Sequence, residues 1–128
     1  MRIGVSGYVG SRKTGIGRVL ESIVMQLAIS RPDIEIVLFV NYDFTDFTQK
    51  QWLSGITVVP YRVSKNSPIA NILWHQGFFQ QNLRHYSCDC AFIPNFSLLL
   101  WKAIPTVSLI HDMIEFNVPR KFNKWRML

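Results

Sequence analysis

The chain has few cysteines and few acidic side chains. Of its 128 residues only two are cysteines, Cys88 and Cys90, and eight are acidic, against fourteen lysines and arginines. Two cysteines separated by one residue are poorly placed for a disulfide, and without further ligands they do not form a zinc site. We therefore expect reduced thiols beside a buried strand.

Long apolar runs are also missing. No stretch reaches the roughly 18–20 residues needed to cross a bilayer. Gly4, Ser6 and Gly7 interrupt the apolar residues at the beginning of the chain, so this segment does not have the continuous apolar region of a signal peptide. We expect a cytoplasmic protein. The length allows at most one domain, and 48% hydrophobic with 17% charged residues is typical of a packed core rather than of disorder.

The excess of positive charge is concentrated near the end of the sequence. The net charge is +6, and four of the fourteen basic residues lie in the last nine: Arg120, Lys121, Lys124 and Arg126. Together with Phe122 and Trp125 they resemble an amphipathic helix, which is either a solvated face or a contact with anionic lipid or nucleic acid. Stacking platforms for nucleic acid interleave basic and aromatic residues on one strand face, and no predicted strand has that pattern. We predict peripheral membrane contact on the inner face and no nucleic-acid partner.

Short apolar segments alternate with helical patterns along the chain. We predict five strands, at 2–6, 34–40, 56–59 (broken at Pro60), 91–93 and 106–110. Strands that are apolar on both faces, joined by crossover helices, favour an α/β fold with a Rossmann-like, doubly wound parallel sheet.

Two longer helices and one short one are predicted between the strands. The first follows Gly17 and ends before Pro32, with an apolar stripe of Ile16, Val19, Leu20, Ile23, Val24, Leu27 and Ala28. A short helix with a capping box is predicted from Asp46 to Gly55. The other long helix begins at Ser67-Pro68 and runs to about residue 86, with one face of Ile69, Ile72, Leu73, Gln76, Phe79, Leu83 and Tyr86.

Two motifs point to a ligand at one rim of this sheet. The first strand enters a glycine-rich turn over 7–17, which opens into a helix and carries Arg12, Lys13 and Arg18. Open backbone amides and cations at a helix N-terminus favour phosphate, although the turn is also explained as a tight bend with solvated cations. His111-Asp112 follows the fifth strand and therefore lies on the same rim, where it could orient a substrate hydroxyl or assist proton transfer.

Each alternative motif requires a residue that the sequence does not have at the necessary position. A dinucleotide fingerprint needs a third glycine where Leu20 stands, and a P-loop needs glycine where Arg12 stands. His111 with Asp112 or Glu115 has no third ligand for a metal. A nicotinamide enzyme, an NTPase and a metal site are therefore not predicted.

Four segments, in order, resemble a known family. They are Thr14-Gly15-Ile16-Gly17-Arg18, Ile93-Pro94-Asn95, the strand from Ile104 through His111-Asp112 to Ile114, and 116–122 with Pro119. Together they are similar to the N-terminal domain of retaining glycosyltransferases of the GT-B fold, in the group called family 4.

The resemblance implies two Rossmann-like domains facing across a cleft, an acceptor side at the N-terminus and a donor-binding C-terminal domain. Residues 1–128 correspond to the first domain, incomplete at its end and without the second, so this chain alone is expected to be inactive. By the resemblance, Gly15, Ile16, Gly17 and Arg18 bind the donor phosphate and sugar, and His111 and Asp112 are catalytic.

The same resemblance also implies the ligands of the parent enzyme. These are a nucleotide-sugar donor and a glycan, lipid-linked or small-molecule acceptor, with no essential metal and no other cofactor. A non-catalytic Rossmann-like binding module, or a truncated remnant, is the alternative.

Overall fold

The computed structural model describes residues 1–8, 15–41, 56–61, 67–95, 97, 99–101 and 104–111. Within these ranges five strands form one all-parallel sheet in the order β3-β2-β1-β4-β5. The strands are β1 (Arg2–Gly7), β2 (Glu35–Asn41), β3 (Thr57–Tyr61), β4 (Cys90–Ile93) and β5 (Thr106–Ser108). The predicted α/β class with a parallel sheet is confirmed. No helix in the described part of the chain is long and apolar enough to span a membrane.

Helices cover both faces of the sheet because its central strands are apolar on both sides. Ile36, Leu38 and Val40 of β2 pack with α1 (Gly15–Ser30). Val37 and Phe39 face the other way and pack with a second helical layer. Alternation along one strand thus builds two cores, one above and one below the sheet.

The first helix begins earlier than its glycines suggest. The prediction placed its start after Gly17, but α1 begins at Gly15 and ends at Ser30 as expected. Glycine costs about 1 kcal/mol in a helix relative to alanine. Packing of the predicted stripe outweighs that cost, since Leu20 and Val24 are fully buried and Ile16 packs against the same core.

Proline does not end the third strand. A break at Pro60 was predicted, yet β3 continues to Tyr61 with Pro60 opposite Val40. The prediction is wrong because β3 is the edge strand of the sheet formed by the described residues, and proline is tolerated in edge strands, where an N–H need not join a ladder. The fifth strand is shorter than predicted and ends at Ser108, although the Leu109 N–H still donates to the Ile93 carbonyl at 2.9 Å.

The second helical layer contains a turn of π-helix. The layer consists of α2 (Pro68–Leu73), a π-helical segment (Trp74–Phe79) and α3 (Gln80–His85). The predicted start is confirmed, since the Ser67 hydroxyl accepts a hydrogen bond from the Ala70 N–H at 3.0 Å.

The predicted apolar face of this layer is confirmed for Phe79 and Leu83, which are buried, but it is wrong in the first turn, before the π-helical segment. Ile69, Ile72 and Leu73 are 70%, 58% and 66% exposed, whereas Trp74, His75 and Phe79 are buried. A π turn holds more residues than an α turn, so it rotates the residues before it relative to those after it. A regular period of 3.6 across residues 69–86 therefore assigned the wrong side to the first turn.

Two glycines of the predicted turn differ in the room around them, which yields a stability test. A Cβ on Gly7 would lie 2.6 Å from the Phe39 carbonyl oxygen, whereas one on Gly15 would meet nothing within 4 Å. We expect Gly7→Ala to lower the free energy of unfolding by about 1–3 kcal/mol, because the backbones of β1 and β2 must separate. Gly15→Ala should leave it unchanged or raise it by up to about 1 kcal/mol. Urea denaturation measures both, and equal values for the two variants would contradict the close approach at Gly7.

Candidate functional site

The candidate site lies at the carboxyl edge of the sheet, between β1 and β4. The chain builds outward from β1 in both directions, through β2 to β3 on one side and β4 to β5 on the other. In open parallel sheets the crevice at such a switch point is where ligands bind, because the flanking loops diverge there.

Hydrogen bonds tie together the chain segments that leave this edge. The Asn95 side-chain amide donates to the Tyr8 carbonyl at 3.2 Å, joining the exits of β4 and β1. His111 Nε2 lies 2.6 Å from the Pro94 carbonyl, joining the exit of β5 to that of β4. A carbonyl only accepts, so Nε2 carries the proton and Nδ1 is the acceptor of the neutral ring. The predicted residue His111 is thus held in a defined orientation at the crevice.

The N-terminus of α1 supplies the other predicted residues. Gly15 and Arg18 are exposed, Ile16 is half-buried against the core, and Gly17 is buried. The first turn contains no acidic side chain. Its backbone N–H groups and the Arg18 guanidinium therefore present positive charge on the chain segment that follows β1. This arrangement suits an anionic group such as a phosphate.

The predicted site residues fall into two groups. Gly15 to Arg18 follow β1, and His111 follows β5. The strands are parallel, so both groups follow the carboxyl edge of the sheet, with β4 between their two strands. Asp112, Arg12 and Lys13 lie outside the described residues, as do the short helix predicted from Asp46 and the basic segment near the end of the chain.

Sequence reasoning missed a buried polar triplet beneath this edge. Ser6, on β1, and His75, in the π-helical segment, are 0% and 1% exposed. Ser6 Oγ lies 3.0 Å from His75 Nε2, and His75 Nδ1 lies 2.6 Å from Asn71 Oδ1 and 3.0 Å from the Asn71 carbonyl. Because Nδ1 faces the Asn71 carbonyl, it donates, and Nε2 accepts from the Ser6 hydroxyl. Burial lowers the pKa of His75 to about 4, against the opposing effect of its bond to Asn71.

The triplet continues towards the segment that carries His111. The Ser97 hydroxyl donates to Asn71 Oδ1 at 3.4 Å, and the Ser108 hydroxyl donates to the Ser97 carbonyl at 3.2 Å. This chain of hydrogen bonds connects β1, α2 and β5. Only the spacing of Asn71 and His75, one helical turn apart, was visible in the sequence, and nothing there pairs His75 with Ser6.

Three buried polar atoms near the edge have no hydrogen-bond partner in the described ranges. They are Tyr8 Oη, Trp74 Nε1 and Asn95 Oδ1. The rings of Tyr8 and Trp74 pack with their centroids 5.3 Å apart, and burial raises the pKa of the Tyr8 hydroxyl. Unsatisfied groups of this kind are uncommon in native proteins, and those at the crevice are neutral donors and acceptors suited to hydroxyl groups.

The described residues offer no metal centre. Among residues 1–8, 15–41, 56–61 and the other described ranges, no group of three histidine, cysteine or acidic side chains is placed to bind a metal ion. Cys88 and Cys90 are free thiols, as predicted. Burial raises the pKa of Cys88 to about 11, so this thiol is protonated at neutral pH and is a poor nucleophile or ligand.

Comparison with known proteins adds no family to this geometry. No protein-family model matches the chain, and no curated protein matches it at a significant level.

Proposed function

We propose that this chain is the acceptor-side, Rossmann-like half of a retaining glycosyltransferase of the GT-B type. The single observation that supports this most strongly is the pairing of two features at one sheet edge. The N-terminus of α1 and its Arg18 follow β1, while His111 is held by the Pro94 carbonyl at the exit of the neighbouring β4. Amides at a helix N-terminus can bind a phosphate and an oriented histidine can assist proton transfer, and sugar transfer from a nucleotide-sugar can use both groups.

Each group has a role in the proposed reaction. Transfer leaves a nucleoside diphosphate, whose negative charge grows as the glycosidic bond breaks. Gly15, Ile16, Gly17 and Arg18 would bind the diphosphate at the start of α1, where the amides of Gly15 and Ile16 and the Arg18 side chain would stabilise that charge without a metal ion. His111, with Nε2 fixed by Pro94, would direct Nδ1 towards a sugar or acceptor hydroxyl. Asp112 is proposed to assist, by its place next to His111 in the sequence.

The proposed ligands and location are those of the parent enzyme. They are a nucleotide-sugar donor and a glycan, lipid-linked or small-molecule acceptor, with no cofactor and no nucleic acid. The protein is proposed to work in the cytoplasm, with peripheral contact to the inner face of the membrane through its basic C-terminal segment. That the chain is an incomplete N-terminal domain stays a prediction.

Binding of nucleoside diphosphates tests the proposal directly. We expect UDP or GDP to shift the backbone amide resonances of residues 15–18 and the His111 ring in NMR titrations. Arg18→Ala should weaken binding by about tenfold, the effect of losing one charge-assisted hydrogen bond at an exposed position.

Arg84 provides the matched control for this experiment. It is an exposed arginine in the last turn of α3, next to the chain segment that enters the amino end of β4. Arg84→Ala should leave the affinity for the nucleotide unchanged. Equal losses for the two arginine variants would indicate non-specific attraction to a basic protein, and shifts confined to other residues would contradict the site.

A further inference from the structure

The side chain of Ser108 joins the exits of two strands just before His111. Ser108 is the last residue of β5, is half-buried and lies three residues before His111. Its hydroxyl donates to the carbonyl of Ser97, which follows β4, at 3.2 Å. The bond from His111 Nε2 to the Pro94 carbonyl joins the same two exits. The two side chains therefore act on one junction, and only His111 is a proposed catalytic residue.

The acceptor of the Ser108 bond is itself held in place by its neighbours. The Ser97 N–H donates to the Asn95 carbonyl at 2.8 Å, and the Ser97 hydroxyl donates to Asn71 Oδ1 at 3.4 Å. Two residues further on, Leu99 is 3% exposed in the core between the sheet and the second helical layer. Ser97 thus uses its N–H, its hydroxyl and its carbonyl at once, and the carbonyl is a fixed anchor for β5.

The second helical layer holds the same stretch of chain at another point. The Leu100 N–H donates to Gln76 Oε1 at 3.0 Å, and the same oxygen accepts from Gln80 Nε2 at 3.0 Å. Gln76 belongs to the π-helical segment. The anchor for Ser108 therefore does not depend on the longer bond between Ser97 and Asn71.

The strand that carries His111 needs such an anchor because it is short. β5 comprises Thr106–Ser108, and its pairing with β4 continues only as far as the bond from the Leu109 N–H to the Ile93 carbonyl. One hydrogen bond from an exposed ring does not by itself offset the entropy lost in ordering the ring and the chain that carries it.

We propose that Ser108 is a positioning residue for His111. Its hydrogen bond to Ser97 holds the end of β5 against the exit of β4, so that the ring of His111 stays on the Pro94 carbonyl. The proposal rests on the proposed function, in which His111 meets a sugar or an acceptor hydroxyl, and it adds to that site a residue that touches no ligand.

Thr106 supplies the matched control on the same strand. Thr106 and Ser108 alternate with Val107, so they project from the same face of β5. The Thr106 hydroxyl donates to the Ile104 carbonyl at 3.1 Å, at the beginning of the strand. Thr106→Val therefore removes a hydroxyl from β5 without removing a bond at its exit.

Exchange of the His111 Nε2 proton with water, measured by NMR without nucleotide, tests the proposal on the whole chain. Ser108→Thr and Ser108→Val have side chains of the same shape, and only threonine keeps the hydroxyl. We expect the proton to exchange about tenfold faster in Ser108→Val than in the wild type, the effect of one lost hydrogen bond on local opening. Ser108→Thr and Thr106→Val should exchange like the wild type. Ser108→Ala adds no bulk and should behave like Ser108→Val, and circular dichroism should show that all the variants are folded.

Equal exchange in the wild type, Ser108→Val and Ser108→Ala would overturn the proposal. So would an equal acceleration in Thr106→Val, which would indicate a general loosening of β5. A titration with UDP or GDP then separates positioning from binding. In Ser108→Val the amide shifts of residues 15–18 should persist while the shift of the His111 ring shrinks. Absence of nucleotide shifts in the wild type would contradict the proposed function alone, because the exchange measurement contains no nucleotide.

Discussion

Replacement of Phe39 by alanine should lower the free energy of unfolding by about 3–5 kcal/mol. Phe39 is fully buried in the middle of β2, and its ring meets those of Phe79 and Tyr86 edge-to-face, with centroids 5.5 and 5.6 Å apart. The variant loses the transfer free energy of the ring, leaves a cavity and removes these aromatic contacts. Domains are stable by only about 5–15 kcal/mol, so the loss is a large fraction of the total.

Urea denaturation followed by circular dichroism measures this effect, with Ile29→Ala as control. Ile29 is 69% exposed, so its truncation should change the free energy of unfolding by no more than about 0.5 kcal/mol. A loss for Phe39→Ala as small as that of the control would mean that the second core is not packed as described.

Acid should destabilise the protein through His75. Burial lowers the pKa of this histidine from 6.5 to about 4 in the folded state. Between these values the unfolded chain binds a proton that the folded chain does not, so stability falls as the pH drops from about 6.5 to about 4. The difference between the two pKa values corresponds to about 3 kcal/mol. Protonation would also require Nε2 to donate, which reverses its hydrogen bond with the Ser6 hydroxyl.

The comparison that isolates this effect is between the wild type and His75→Gln. The variant should be less stable at neutral pH, because a buried hydrogen-bonded ring is lost. Its free energy of unfolding should however depend less on pH between about 4 and 6.5 than that of the wild type. Equal pH dependence in both proteins would contradict a neutral, buried His75, and an NMR titration of its ring provides an independent check.

Much of the fold could be predicted from local patterns. The apolar runs locate all five strands of the described sheet to within two residues at each end, because a strand buried on both faces must be continuously apolar. Ser67-Pro68 marks a helix start by local chemistry, since a hydroxyl cap and a proline need only the next turn to act. The position of His111 at the carboxyl edge follows from the parallel arrangement of the strands.

Other features depend on contacts that a sequence pattern does not contain. Pro60 is tolerated because β3 has a neighbour on only one side within the described sheet, and the position of a strand in a sheet is a property of the whole fold. The partners Asn95 and Tyr8, and His111 and Pro94, are likewise joined only once the strands are in order.

The sequence by itself determined the α/β class, the capped helix start at Ser67-Pro68 and the edge of the sheet at which polar residues gather, because each depends on neighbours within a turn or a strand. The tertiary structure alone decided which residues are buried in the first turns of the second helical layer. The π-helical segment turns His75 inward to meet Ser6, which is 69 residues away in the chain, and leaves Ile69, Ile72 and Leu73 exposed. Hydrogen bonds between distant segments and the packing of the layer on the sheet fix that turn. Neither can be inferred from the helical periodicity of the sequence.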